Sequence, residues 1–120
     1  MTNKEIAIAF LTEVQAGMIK EAYDKYVHTN FVHHMPYFKG DRQSLLEAME
    51  AAHEQYSDKI YEPLRTLAGD DLVTVHGRIV LESKEYSVLH LFRIENGKIV
   101  ESWEASQEAI DDSPNEFGLF

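Results

Sequence analysis

The chain has 120 residues, 44% of them hydrophobic, enough for one compact domain with its own core and too few for a second. Eleven basic side chains against twenty-one acidic ones give a formal charge of −10, and no Lys/Arg cluster offsets it, so neither nucleic acid nor an anionic membrane is an expected partner. With no cysteine, disulfides, thiol catalysis and thiolate metal sites are excluded; with no apolar run long enough to cross a bilayer, a soluble, cytoplasmic protein is expected.

Thr2-Asn3-Lys4-Glu5 has the spacing of a capping box. Ile6, Ala7, Phe10, Leu11 and Val14 then recur on one helical face until Gly17 offers a stop. A second short helix carries Ile19, Ala22, Tyr23 and Tyr26 at helical spacing, and the chain then reads as irregular from Val27 to Lys39. Asp41 can cap a third helix whose apolar face is Leu45, Leu46, Met49, Ala52 and Tyr56.

From Lys59 the period changes to that of strands. Runs from Lys59 to Ala68, Leu72 to Leu81, Glu85 to Ile94 and Lys98 to about Gln107 are separated by Gly69-Asp70-Asp71, by Ser83-Lys84 and by Asn96-Gly97, the strongest turn signal in the chain. Helices first and a strand meander second imply an α+β fold, three N-terminal helices covering one face of a curved antiparallel sheet.

The last hairpin is the most specific segment. Phe92-Arg93-Ile94-Glu95-Asn96-Gly97-Lys98-Ile99-Val100-Glu101-Ser102-Trp103-Glu104 resembles the closing hairpin of the SnoaL-like polyketide cyclase family, F-R-x-x-x-G-K-I-x-E-H-W-D, with Ser102 in place of His and Glu104 in place of Asp. The resemblance extends over nearly the whole chain, to the tail Asn115-Glu116-Phe117-Gly118-Leu119-Phe120. It implies the cone-shaped fold of the nuclear transport factor 2-like group as a single domain spanning residues 1–120, with an apolar pocket between helices and sheet.

Six histidines are candidates for proton transfer, since the imidazole titrates nearest neutrality. By the resemblance, His34 matches a His retained at the mouth of the family's pocket, with His33 and Met35 where Gln and Asn usually stand. His76 matches a second frequent His on a central strand, and His90 stands where the family often has Asp. The resemblance therefore nominates Glu104, His34 and His76 as catalytic, with His90, Ser102, Phe92, Tyr37 and Phe31 lining the pocket. Trp103 reads as core or interface, and His28 and His53 as surface.

Register decides which of these groups meet. A two-residue loop at Asn96-Gly97 sets Glu95 against Lys98 and turns Glu104 away from His90. A three-residue loop with Gly97 in a bulge sets Ile94 against Lys98 and pairs His90 with Ser102, Glu104 lying diagonal; the resemblance favours this register. A carboxyl and an imidazole gathered in an apolar pocket suit enolisation beside a carbonyl, leading to aldol cyclisation, isomerisation or dehydration, and burial is expected to raise the carboxyl pKa and lower that of the imidazole. Such chemistry implies no cofactor, and the histidine spacing suggests no metal. The expected ligand is a small apolar or aromatic carbonyl compound, and the expected assembly a homodimer through exposed sheet. The alternative is a noncatalytic small-molecule binding or protein-interaction module on the same fold.

Overall fold

A computed structural model describes residues Met1 to Phe120 as three helices packed on a curved, open, five-stranded sheet. Helix α1 (Asn3–Gln15) starts where its cap dictates: the Thr2 side chain accepts from the Glu5 N–H at 3.2 Å, and the Glu5 carboxylate accepts from the Thr2 N–H at 2.8 Å. Helix α2 (Ile19–Tyr26) follows at once, and α3 (Arg42–Gln55) begins at Asp41, whose carboxylate accepts from the Ser44 N–H. No helix is long and apolar enough to cross a membrane.

The strands are β1 (Val27–His33), β2 (Ile60–Gly69), β3 (Leu72–Leu81), β4 (Lys84–Glu95) and β5 (Lys98–Glu108), in the spatial order β1-β5-β4-β3-β2. β2 to β5 form the antiparallel meander; β1, which sequence patterning leaves irregular, adds an edge strand parallel to β5. Its burial does not alternate cleanly, and its partner lies some seventy residues away along the chain, so no local signal announces it.

The inner face of the sheet carries Val73 and Val75 of β3, Phe92 and Ile94 of β4 and Ile99 of β5, all buried against Phe10, Leu11, Ile19, Ala22 and Tyr23 of the first two helices. Leu45 and Leu46 of α3 complete this core. Phe10 stands edge-on to both Tyr23 and Phe92, at centroid distances of 5.4 and 5.9 Å, locking α1 over the centre of the sheet.

The β4–β5 turn follows neither register considered from sequence. Asn96 and Gly97 both have positive φ, 51° and 78°, and Glu95 pairs with Lys98, so the loop has two residues. One step later the ladder shifts: Ile94 pairs with Ile99 but Arg93 with Glu101, leaving Val100 as an extra residue in a bulge. Beyond it Phe92 faces Ser102, Leu91 faces Trp103 and His90 faces Glu104 directly rather than diagonally. The bulge reverses the alternation of β5, so Ser102 and Glu104 point inward and Trp103 outward.

Candidate active site

Two rows of cross-strand neighbours build the site. In the first, His33 of β1, Ser102 of β5 and Phe92 of β4 lie side by side; in the second, Glu104 of β5 stands against His90 of β4, with Val75 of β3 beyond. α1, α2 and α3 roof these rows and leave a narrow cavity of about 40 Å³, lined on the sheet side by His90, Phe92, Ser102, Glu104 and Phe31 and on the helix side by Phe10, Leu11, Val14, Tyr23, Leu45 and Met49. Met35, just beyond β1, also borders it. A water needs roughly 10–15 Å³ of such space, so the cavity has room for only a few heavy atoms.

His90 Nε2 lies 2.9 Å from Glu104 Oε1, and the two side chains are only 12% and 25% exposed. The His90 ring is stacked on Phe92 with an interplanar angle of 6° and meets Tyr61 edge-on at 6.4 Å, which fixes its plane. Its Nδ1 is buried and has no partner. Burial opposes ionisation of Glu104, but the hydrogen bond from His90 and the positive charge of Lys59 outweigh it and hold the carboxyl below its ordinary range. This corrects the expectation of a raised carboxyl: a buried acid facing an imidazole is kept as the carboxylate. An ionised carboxylate only accepts, so Nε2 carries the proton of this bond.

His33 is 5% exposed. Its Nδ1 accepts from the Met35 N–H at 3.2 Å, which places the proton of the neutral ring on Nε2, and that nitrogen is buried without a partner. Burial lowers its pKa, favouring the neutral form, as expected for an imidazole withdrawn from water.

Sequence reasoning passed over Tyr61 and Lys59. Tyr61 of β2 packs against the core with its hydroxyl buried and unpartnered, and burial together with the Glu104 charge pushes its pKa up to about 12. The ring fits because residue 77 is glycine: a Cβ there would fall 2.6 Å from the Tyr61 ring. A glycine inside a strand, Val75-His76-Gly77-Arg78, signals such a close approach. Lys59, in the link before β2, is half-buried; burial lowers its pKa, and the Glu104 charge acts against that.

The structure does not bring His34 and His76 to Glu104. Adjacent residues of a strand face opposite ways, so with Phe31 and His33 inward, His34 emerges on the outer face. There it stacks on Trp103 at 5.1 Å and bonds Glu101 Oε2 at 2.7 Å, and Glu101 is held below its usual range by this bond. His76 lies between inward Val75 and Gly77, so it too faces out, against Arg65, Ser87 Oγ at 2.8 Å and the ring of Phe120. Tyr37, at 84% exposure, stands away from the cavity in the β1–α3 loop, because the chain turns outward after His33. No three His, Asp or Glu side chains gather as a metal-binding group.

The SnoaL-like domain family matches residues 7–102. No curated protein matches the chain. Among solved structures, IdmH from Streptomyces antibioticus, a candidate polyketide cyclase, is similar with a TM-score of 0.74 at 18% identity, over 89% of this chain and 93% of that one. A candidate ketosteroid isomerase from Kribbella flavida gives a TM-score of 0.76 at 14% identity, over 94% of this chain and 83% of that one. A nuclear transport factor 2-like protein of unknown function from Cytophaga hutchinsonii gives 0.73 at 15%, over 89% and 91%. At these identities the structural likeness establishes the fold, and the family match over most of the sequence establishes the lineage: the chain belongs to the SnoaL-like family.

Proposed function

We propose that this protein is a cofactor-independent acid/base catalyst acting on a small carbonyl compound, by aldol cyclisation, isomerisation or dehydration. One observation carries the reading: an ionised carboxylate, Glu104, bound to an imidazole, His90, in a cavity otherwise lined mostly by apolar side chains. Glu104 takes a proton from the carbon beside the substrate carbonyl, while His90 fixes the carboxylate and keeps its charge compensated. The enolate oxygen accepts from a neutral donor, for which Ser102 Oγ and His33 Nε2 are the candidates on the same face. Return of the proton to another carbon completes an isomerisation; attack of the enolate carbon on a second carbonyl, with the proton passing to the new alkoxide, completes a cyclisation. The names borne by IdmH and the Kribbella flavida protein describe chemistry of this kind.

The experiment is proton exchange at the α-carbon of a panel of carbonyl compounds in D2O. Glu104→Gln is expected to lower the exchange rate by about 10²- to 10⁴-fold. Saturable ligand binding without exchange supports the second reading, a noncatalytic binding module.

A homodimer working in the cytoplasm accompanies this proposal. The outer sheet face exposes Val32, Leu67 and Leu89, with Leu91 and Trp103 between them, an apolar surface suited to a second copy of itself. A mass near twice 13.8 kDa in solution is expected, falling to the single value in Leu89→Arg.

A further inference from the structure

The polar side chains that line the cavity are of two kinds. Ser102 and Tyr23 bring hydroxyls, which turn to donate or accept as a ligand requires. Gln15 and His90 each bring an atom whose role is fixed. The amide oxygen Gln15 Oε1 only accepts. With the ring proton on Nε2, held by Glu104 at 2.9 Å, Nδ1 of the neutral His90 imidazole only accepts as well. Both atoms are buried without a protein donor. Glu104 adds its carboxylate, so every cavity atom that cannot change role calls for a donor.

A plain ketone supplies none. Its oxygen is served by the hydroxyls of Ser102 and Tyr23, while Gln15 Oε1 and His90 Nδ1 stay unsatisfied, which is costly away from water. Hydroxyl groups on the ligand satisfy both. Size sets the chain length: the cavity holds about three or four waters, each with a liquid volume of about 30 Å³, so one molecule of about six heavy atoms fills it. Resting on the acid/base reading above, we infer that the ligand is a short α-hydroxy ketone or its isomeric hydroxy aldehyde, with Gln15 Oε1 and His90 Nδ1 accepting from its hydroxyls. The reaction is the interconversion of the two. The C–H bond of the hydroxyl-bearing carbon beside the carbonyl breaks, and its proton moves to Glu104. The electron pair becomes the C=C bond of an enediolate, whose charge rests on the former carbonyl oxygen. The proton of the hydroxyl at His90 passes to that oxygen, and Glu104 returns its own proton to the former carbonyl carbon. No co-reactant is consumed.

The test uses three ligands of one size, dihydroxyacetone, 1-hydroxy-2-butanone and 3-pentanone, in which methyl groups replace the hydroxyls one at a time. Binding is followed by calorimetry; exchange of the protons beside the carbonyl and formation of glyceraldehyde are followed by NMR in D2O. An apolar wall alone ranks 3-pentanone first. The purified protein is expected to rank it last, each hydroxyl adding about tenfold in affinity. Gln15→Met removes about tenfold from dihydroxyacetone and leaves 3-pentanone unchanged, whereas Gln15→Glu, which keeps an acceptor, retains the ranking. Glu104→Gln still prefers dihydroxyacetone but exchanges its protons at least about 10²-fold more slowly. The opposite ranking, a ranking untouched by Gln15→Met, or no saturable binding of dihydroxyacetone overturns the hydroxyl-bearing ligand. The expected ranking with exchange indifferent to Glu104→Gln supports that ligand and removes the acid/base reading. Glu104-dependent exchange that is accelerated as much on 3-pentanone as on dihydroxyacetone, relative to the uncatalysed rates, does the reverse.

Discussion

His90 and Glu104 occupy directly opposed positions on β4 and β5, and their side chains close a 2.9 Å contact inside the cavity. The contact stabilises the fold in a pH-dependent way. Because the folded carboxyl sits below its ordinary value of 4.5, the unfolded chain binds the proton more readily. The stabilisation is therefore complete above about pH 4.5 and is lost as pH falls through the lower folded value. Glu104→Gln is expected to cost about 1–3 kcal/mol at pH 7. Urea unfolding of both proteins from pH 7 to pH 3 should show the difference shrinking on acidification; a gap independent of pH contradicts the ionised pair.

The absence of cysteine makes the register directly testable. In the double variant His90→Cys, Glu104→Cys the two positions are cross-strand neighbours, within reach of a disulfide. Mild oxidation should close an intramolecular bond there and not in His90→Cys, Trp103→Cys, whose second thiol points to the other face. Peptide mapping after oxidation distinguishes the two.

Gly77 and Tyr61 should behave as a coupled pair. Gly77→Ala puts a methyl group into the Tyr61 ring, and the forced displacement is expected to cost about 1–3 kcal/mol. In a Tyr61→Ala background these closest contacts are gone, so the cost of Gly77→Ala should fall well below that figure. A double-mutant cycle by chemical denaturation measures the coupling; additive effects contradict the close approach.

The β3–β4 turn holds Glu82 and Ser83 at φ of 50° and 68°, a conformation that suits Asn and Gly. Replacing the pair by Asn-Gly is expected to stabilise the protein by about 1 kcal/mol, read as a raised urea midpoint with an unchanged slope.

What could be read from the sequence was what local chemistry dictates. Thr2 and Glu5 announce the first helix, Asp41 the third, and the alternation of β2 to β5 announces the meander. What could not be read depends on non-local pairing. β1 exists because β5 offers it an edge, and once it forms, the inward direction of Phe31 selects His33 rather than His34 for the interior. His76 is decided in the same way by the burial of Val75 beside it. Tyr61 left one trace, the glycine its ring packs over, while nothing along the chain marks Lys59 as half-buried.

The extra residue Val100 decides which side chains of β5 enter the cavity. β5 carries two complete sets of side chains, one with Ser102 and Glu104, the other with Glu101 and Trp103, and a residue count upstream chooses which set the cavity receives. Gain or loss of a single codon between the bulge and Ser102 would exchange a carboxylate for an indole in the interior without altering either residue. Comparisons that align such hairpins by residue type alone can therefore match the letters of a site while misplacing its chemistry.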